Sequence, residues 1–243
     1  MILMKPIATA CLALSLGLMV PGARAQTDVD LQLVVAVDAS FSVDAREYAL
    51  QLDGIAAAFR DPEVQDAIAA GRHGRIAVAL AVWAESRYPK SAVDWYVVDG
   101  PASAEAFSRS VETYGRPVEG GTRIGRAVMF CISLIESNGF TGGRRVIDVS
   151  GDGPETALRE WTVTPQQAGA AAAIRGITVN GLAILSDEPK LDRYYARNVI
   201  DGPGAFVMAA HSIADFAAAM RLKLIREIKG QRLVSSLTSQ RQN

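Results

Sequence analysis

Leu33-Val34-Val35-Ala36-Val37 is an apolar run with no polar alternation, and it closes a segment, 31–37, that reads as a strand. A strand that is apolar on both faces belongs inside a sheet covered on both sides, the usual setting of a parallel strand. A second such strand is predicted at 75–83, and others at 144–149, 178–185 and 205–209. Segments with helical spacing separate them, at 43–59, 62–70, 103–113, 123–137, from 165 onward, 191–198 and 213–229. Ser103 is expected to cap its helix. The short strand 94–98 follows a brief connection, so it is expected to be antiparallel and at an edge. Alternating strands and helices imply an α/β fold: a doubly wound, mostly parallel six-stranded sheet with helices on both faces and one antiparallel edge strand.

The first strand ends on Asp38-Ala39-Ser40-Phe41-Ser42. A carboxylate and two hydroxyls at alternate positions are all oxygen donors, the type that hard divalent cations take. Ligands of open α/β sheets bind outside the carboxyl ends of the strands, which is where this loop lies. A simpler reading makes Ser42 a helix N-cap and Asp44 a favourable first-turn charge. Two further segments add donors in similar places. Thr122 follows Gly120-Gly121 just before a helical pattern, and Asp152 stands in Ser150-Gly151-Asp152-Gly153 after the run 146–149.

Asp38, Ser40, Ser42, Thr122 and Asp152, in this order and at these long spacings, resemble the metal-ion-dependent adhesion site of von Willebrand factor A-type domains. The resemblance covers residues 28–229. Within that family the chain looks like a proteobacterial group of secreted single-domain proteins of unassigned function, on the segments 144–153, 180–184 and 202–207. It departs from many A domains at Ser150-Gly151, where they carry Thr directly before the Asp. The resemblance implies that the three hydroxyls touch a divalent cation, Mg²⁺ in the first place and Mn²⁺ or Ca²⁺ otherwise. The two Asp residues then act largely through water. It also implies a protein partner that offers an Asp or Glu carboxylate to the cation.

The first 25 residues have the parts of a secretory signal: Lys5, an apolar stretch 7–20, the breaker Pro21-Gly22, and Ala23-Arg24-Ala25 as a cleavage site. The expected organisation is a signal peptide at 1–25, one A-type domain at 28–229 and a polar tail at 230–243. A periplasmic or extracellular location follows. Without Lys5 and Arg24 the chain keeps 23 basic against 26 acidic residues, a formal charge of −3. No basic stripe supports nucleic-acid binding. Cleavage removes Cys11 and leaves Cys131 alone, in a helical pattern that reads as a small buried hydrophobe.

Two rival functions are a metal-dependent phosphatase-like hydrolase and a structural envelope protein with a vestigial site. For the first, an aspartyl-phosphate enzyme would want a second Asp where Ser40 stands. No Gly-x-Ser-x-Gly, phosphate loop or His/Cys cluster appears. Trp83 reads as core and Glu85 and Glu155 as solvated. Tyr194-Tyr195 reads as packing of a short helix, and Trp161 as either a core cap or an interface anchor.

Overall fold

A computed structural model describes residues 26–85, 91–156 and 162–230. The leader 1–25, the tail from 231 and Trp161 lie outside the described residues. The order is β1 (Thr27–Asp38), α1 (Ala45–Arg60), α2 (Pro62–Ala69), β2 (Ile76–Trp83), β3 (Ser91–Val98), α3 (Pro101–Glu112) and α4 (Ile124–Glu136). There follow β4 (Phe140–Gly151), α5 (Pro165–Ile174), β5 (Thr178–Ile184), α6 (Leu191–Asn198), β6 (Val207–Ala210) and α7 (Phe216–Lys229).

The six strands form one sheet in the order β3-β2-β1-β4-β5-β6. Five strands are parallel, and the edge strand β3 runs antiparallel to β2. The central strand β1 sends alternate side chains to opposite faces. Leu31, Leu33, Val35 and Val37 join the core under α1, α2, α3 and α7. Val34 and Ala36 join Ile147, Val149 and Val179 under α4, α5 and α6. Both faces of β1 are therefore dry, which accounts for its apolar run. Cys131 is buried in the second core, as is Trp83.

Local chemistry sets several helix starts. Asp44 accepts from the Glu47 amide at 2.8 Å, and the Glu47 carboxylate accepts from the Asp44 amide at 3.0 Å, a reciprocal cap. Thr164 and Gln167 form the same device ahead of Pro165. Ser103 is not the cap of α3. The helix begins two residues earlier at Pro101, and the Ser103 hydroxyl accepts from the Asp99 and Gly100 amides from inside the first turn. Other elements differ from expectation: β1 starts at Thr27 rather than 31, β3 at Ser91 rather than 94, and β6 at Val207 rather than 205. β4 starts at Phe140, because Phe140–Gly142 pair with the start of β1. The last helix starts at Phe216, after a short 3-10 turn, Ile213–Asp215.

A polar network lies inside the fold. The Lys223 ammonium of α7 is 2.5 Å from Asp148 of β4 and 2.5 Å from Glu227, all three wholly or nearly wholly buried. Asn180 of β5 donates to Glu227 at 2.8 Å. Arg144, on β4, donates to the backbone carbonyls of Glu227 and Ile228 at the end of α7. At this amino end of the parallel strands, Val29, Asp30, His73, Arg144, Ile228 and Gly230 line one cleft. Among the described residues, no helix is long and apolar enough to cross a membrane.

Candidate metal centre

β1 ends at Asp38, at the carboxyl end of the sheet, and the chain turns at once. The Ser40 amide donates to Asp38 Oδ1 at 2.7 Å, which folds the loop back over the strand end. The hydroxyls of Ser40 and Ser42 lie 3.1 Å apart. Ser42 Oγ donates to Asp152 Oδ1 at 2.8 Å, tying the loop after β1 to the loop after β4. Four of the five predicted donors thus form a continuous chain of contacts. Asp44 serves as the helix cap, which leaves the Ser42 hydroxyl for Asp152.

The third loop docks on the first through its backbone. The Phe41 amide donates to the Gly120 carbonyl at 2.8 Å. Gly120 has φ +127°, and a Cβ there would stand 2.4 Å from the Cβ of Glu85, so only glycine fits. Thr122 is held by a two-way exchange with Thr156. Its amide donates to Thr156 Oγ1 at 2.9 Å, and the Thr156 amide donates to its carbonyl at 3.0 Å. Buried Thr122 faces the Asp152 loop: its Oγ1 is 3.9 Å from where a Cβ on Gly153 would be.

Several residues without a motif complete the scaffold. Arg116 donates to the carbonyls of Ala39 and Ser40 at 3.1 and 2.9 Å, bracing the first loop. Glu155 is not solvated. Its carboxylate accepts from the Gly125 amide at the start of α4 and faces Arg123 at 4.0 Å, both side chains buried. Tyr194 accepts from the Glu155 amide at 3.2 Å, while Tyr195 is fully buried beneath the site. Gly151 accounts for the departure before Asp152. A methyl group there would lie 2.7 Å from the Tyr195 hydroxyl and 2.9 Å from Asp38 Oδ2, with no room for a side chain.

The charges in this cluster are unbalanced. Asp38 is fully buried, and burial together with the nearby Asp152 charge pushes its pKa up to about 8, against the opposing pull of the Ser40 amide and Arg116. Burial also raises Asp152, with Asp187 and Glu47 adding negative potential. Burial, and then the Asp38 charge, pushes the Tyr195 phenol well above its ordinary value. Asp38 Oδ2 is buried without a hydrogen-bond partner, which leaves a strong acceptor unsatisfied. Among the described residues no three His, Cys, Asp or Glu side chains converge. The donor set is instead two carboxylates and three hydroxyls, all oxygen. A divalent cation fits such a site, because it supplies the missing charge and takes oxygen ligands.

A family model described as "Protein of unknown function (DUF1194)" matches residues 28–232. No curated protein matches the chain in sequence. Solved structures do match in shape. The pilus adhesin SpaC from Lactobacillus rhamnosus GG aligns at TM-score 0.60 and 14% identity, over 86% of this chain and 32% of that one. Proximal thread matrix protein 1 from the mussel byssus, in a form with a zinc-occupied MIDAS motif, aligns at 0.54 and 16%, over 84% and 49%. The vWF domain of the type V pili tip protein Mfa5 from Porphyromonas gingivalis aligns at 0.53 and 12%, over 88% and 97%. This chain therefore spans about a third of the adhesin and half of the byssus protein, and nearly all of the pilus-tip domain. At these identities the likeness is one of fold, and the fold is that of a von Willebrand factor A-type domain.

Proposed function

Since this chain belongs to the DUF1194 family, described as of unknown function, we propose its function from its own site: it is a protein-binding module that works through a divalent cation. Asp38, Ser40, Ser42, Thr122 and Asp152 hold the ion, Mg²⁺ in the first place. A bound cation offers a Lewis-acidic point at which an Asp or Glu carboxylate of a partner protein replaces water. The observation that carries this reading is Asp38 Oδ2, a buried carboxylate oxygen with no partner in a cluster of oxygen donors short of positive charge.

Each residue has a distinct task. Ser40, Ser42 and Thr122 bring neutral oxygens, so the ion keeps most of its charge for the partner. Asp38 and Asp152 supply the counter-charge from beneath. Arg116 and Thr156 hold the loops in place from outside the donor set. The adhesin, byssus-matrix and pilus-tip relatives support an adhesive role over a catalytic one. The leader read in residues 1–25 supports work in the periplasm or outside the cell.

The test is calorimetric titration with Mg²⁺ and Mn²⁺, followed by capture from an envelope extract in Mg²⁺ or EDTA. The unmutated protein is expected to bind the ion, and Asp38→Ala and Thr122→Ala to lose it together with any metal-dependent partner. Ion binding by both variants at unmutated strength would sink the assignment.

A further inference from the structure

Phe41 stands between two of the proposed ligands, and the residue is 73% exposed. Its backbone is fixed on both sides. Its amide is bound to Gly120, the Ser40 amide to Asp38, and the Ser40 carbonyl accepts from Arg116 and from the Val43 amide. The ring therefore rides on a rigid loop, and only side-chain freedom remains to be lost on contact. The core makes no use of it. The other large apolar side chains exposed among the described residues, Ile174 and Leu222, sit on α5 and α7, outside the three loops of the site. An apolar group beside the partner's carboxylate would meet the ring. Aromatic side chains of this kind anchor interfaces, since they bury much area for little conformational loss.

We infer that Phe41 is the specificity element of this site, selecting a protein segment in which the metal-seeking Asp or Glu is flanked by an apolar side chain. This rests on the function proposed above and narrows the partner to acidic–apolar sequences. The probes are two acetylated, amidated tripeptides, Leu-Glu-Leu and Gly-Glu-Gly, titrated into the full chain with Mg²⁺ and with EDTA. The Leu-flanked peptide is expected to bind about tenfold tighter, the loss typical of removing one interface anchor. In Phe41→Ser that preference is expected to vanish while Mg²⁺ affinity stays as it was. Equal binding of the two peptides, or a preference that survives Phe41→Ser, overturns the inference and leaves the metal site standing. Failure of the unmutated chain to take up Mg²⁺ overturns the functional reading itself, and the inference with it.

Discussion

The hydroxyl of Ser42 donates to the carboxylate of Asp152 at 2.8 Å, joining two loops 110 residues apart in sequence. This contact brings donors from the two loops to one place. An ion that binds the folded protein adds its affinity to the stability of the folded state. At Mg²⁺ a hundredfold above its dissociation constant the gain is about 2.7 kcal/mol. For a domain of this size that corresponds to a rise of roughly 5–10 °C in Tm. Calorimetric scans with Mg²⁺ and EDTA measure it, and Asp152→Ala is expected to abolish the difference.

Gly151 packs where no side chain fits, between the Tyr195 hydroxyl and Asp38. Gly151→Ala is therefore expected to destabilise the protein by about 1–3 kcal/mol through overpacking. It also displaces Asp38, so Mg²⁺ affinity is expected to fall. Chemical denaturation and titration of the same variant check both effects. A variant as stable as the unmutated protein would contradict the close packing.

Thr156 reaches the site through Thr122, whose amide donates to its hydroxyl. Thr156→Val keeps the shape and removes the hydroxyl that accepts from the Thr122 amide. Supporting hydrogen bonds of this kind are commonly worth about tenfold or more in metal affinity. Weaker Mg²⁺ binding with little change in fold is expected, measured by titration and circular dichroism.

Folding raises the pKa of Asp148 from 3.8 to about 7, because burial and the neighbouring Glu227 outweigh the pull of Lys223. The folded protein thus holds a proton that the unfolded chain gives up from about pH 4. This contribution to stability is complete below pH 4 and is lost as pH rises through about 7. The slope from one such group reaches at most ~1.4 kcal/mol per pH unit. Denaturation across pH 4–8 in EDTA is expected to show a flatter profile for Asp148→Asn than for the unmutated protein. Parallel profiles would place the proton elsewhere.

Much of the sheet was legible because its central strands are apolar on both faces, a pattern few other elements produce. Phe140-Thr141-Gly142-Gly143 escaped notice, since this start of β4 is half-exposed and held only by pairing with the start of β1. Lys223 and Glu227 stand four apart on a helix, a spacing that ordinarily reads as a surface ion pair, yet both face the core. In the candidate site Asp38, Ser40 and Ser42 were readable as a local pattern, and Thr122 and Asp152 from their places at a helix start and after an apolar strand. Arg116, Thr156, Glu155 and Tyr195 act across 30 or more positions through one or two contacts each, and such contacts leave no periodic trace.

Arg144 fastens the end of α7 beside the cleft that also holds Val29 and Asp30, so both ends of the described chain leave from one pole. β1 spans its 12 residues from that pole to Asp38, a distance of roughly 36–40 Å for an extended strand. A tether or tag fixed at either end of the described residues therefore orients the domain like a lamp on its stem, with the three candidate-site loops turned outward. Attached through residue 26 or 230, the protein presents Phe41 and its neighbours on the side away from the attachment.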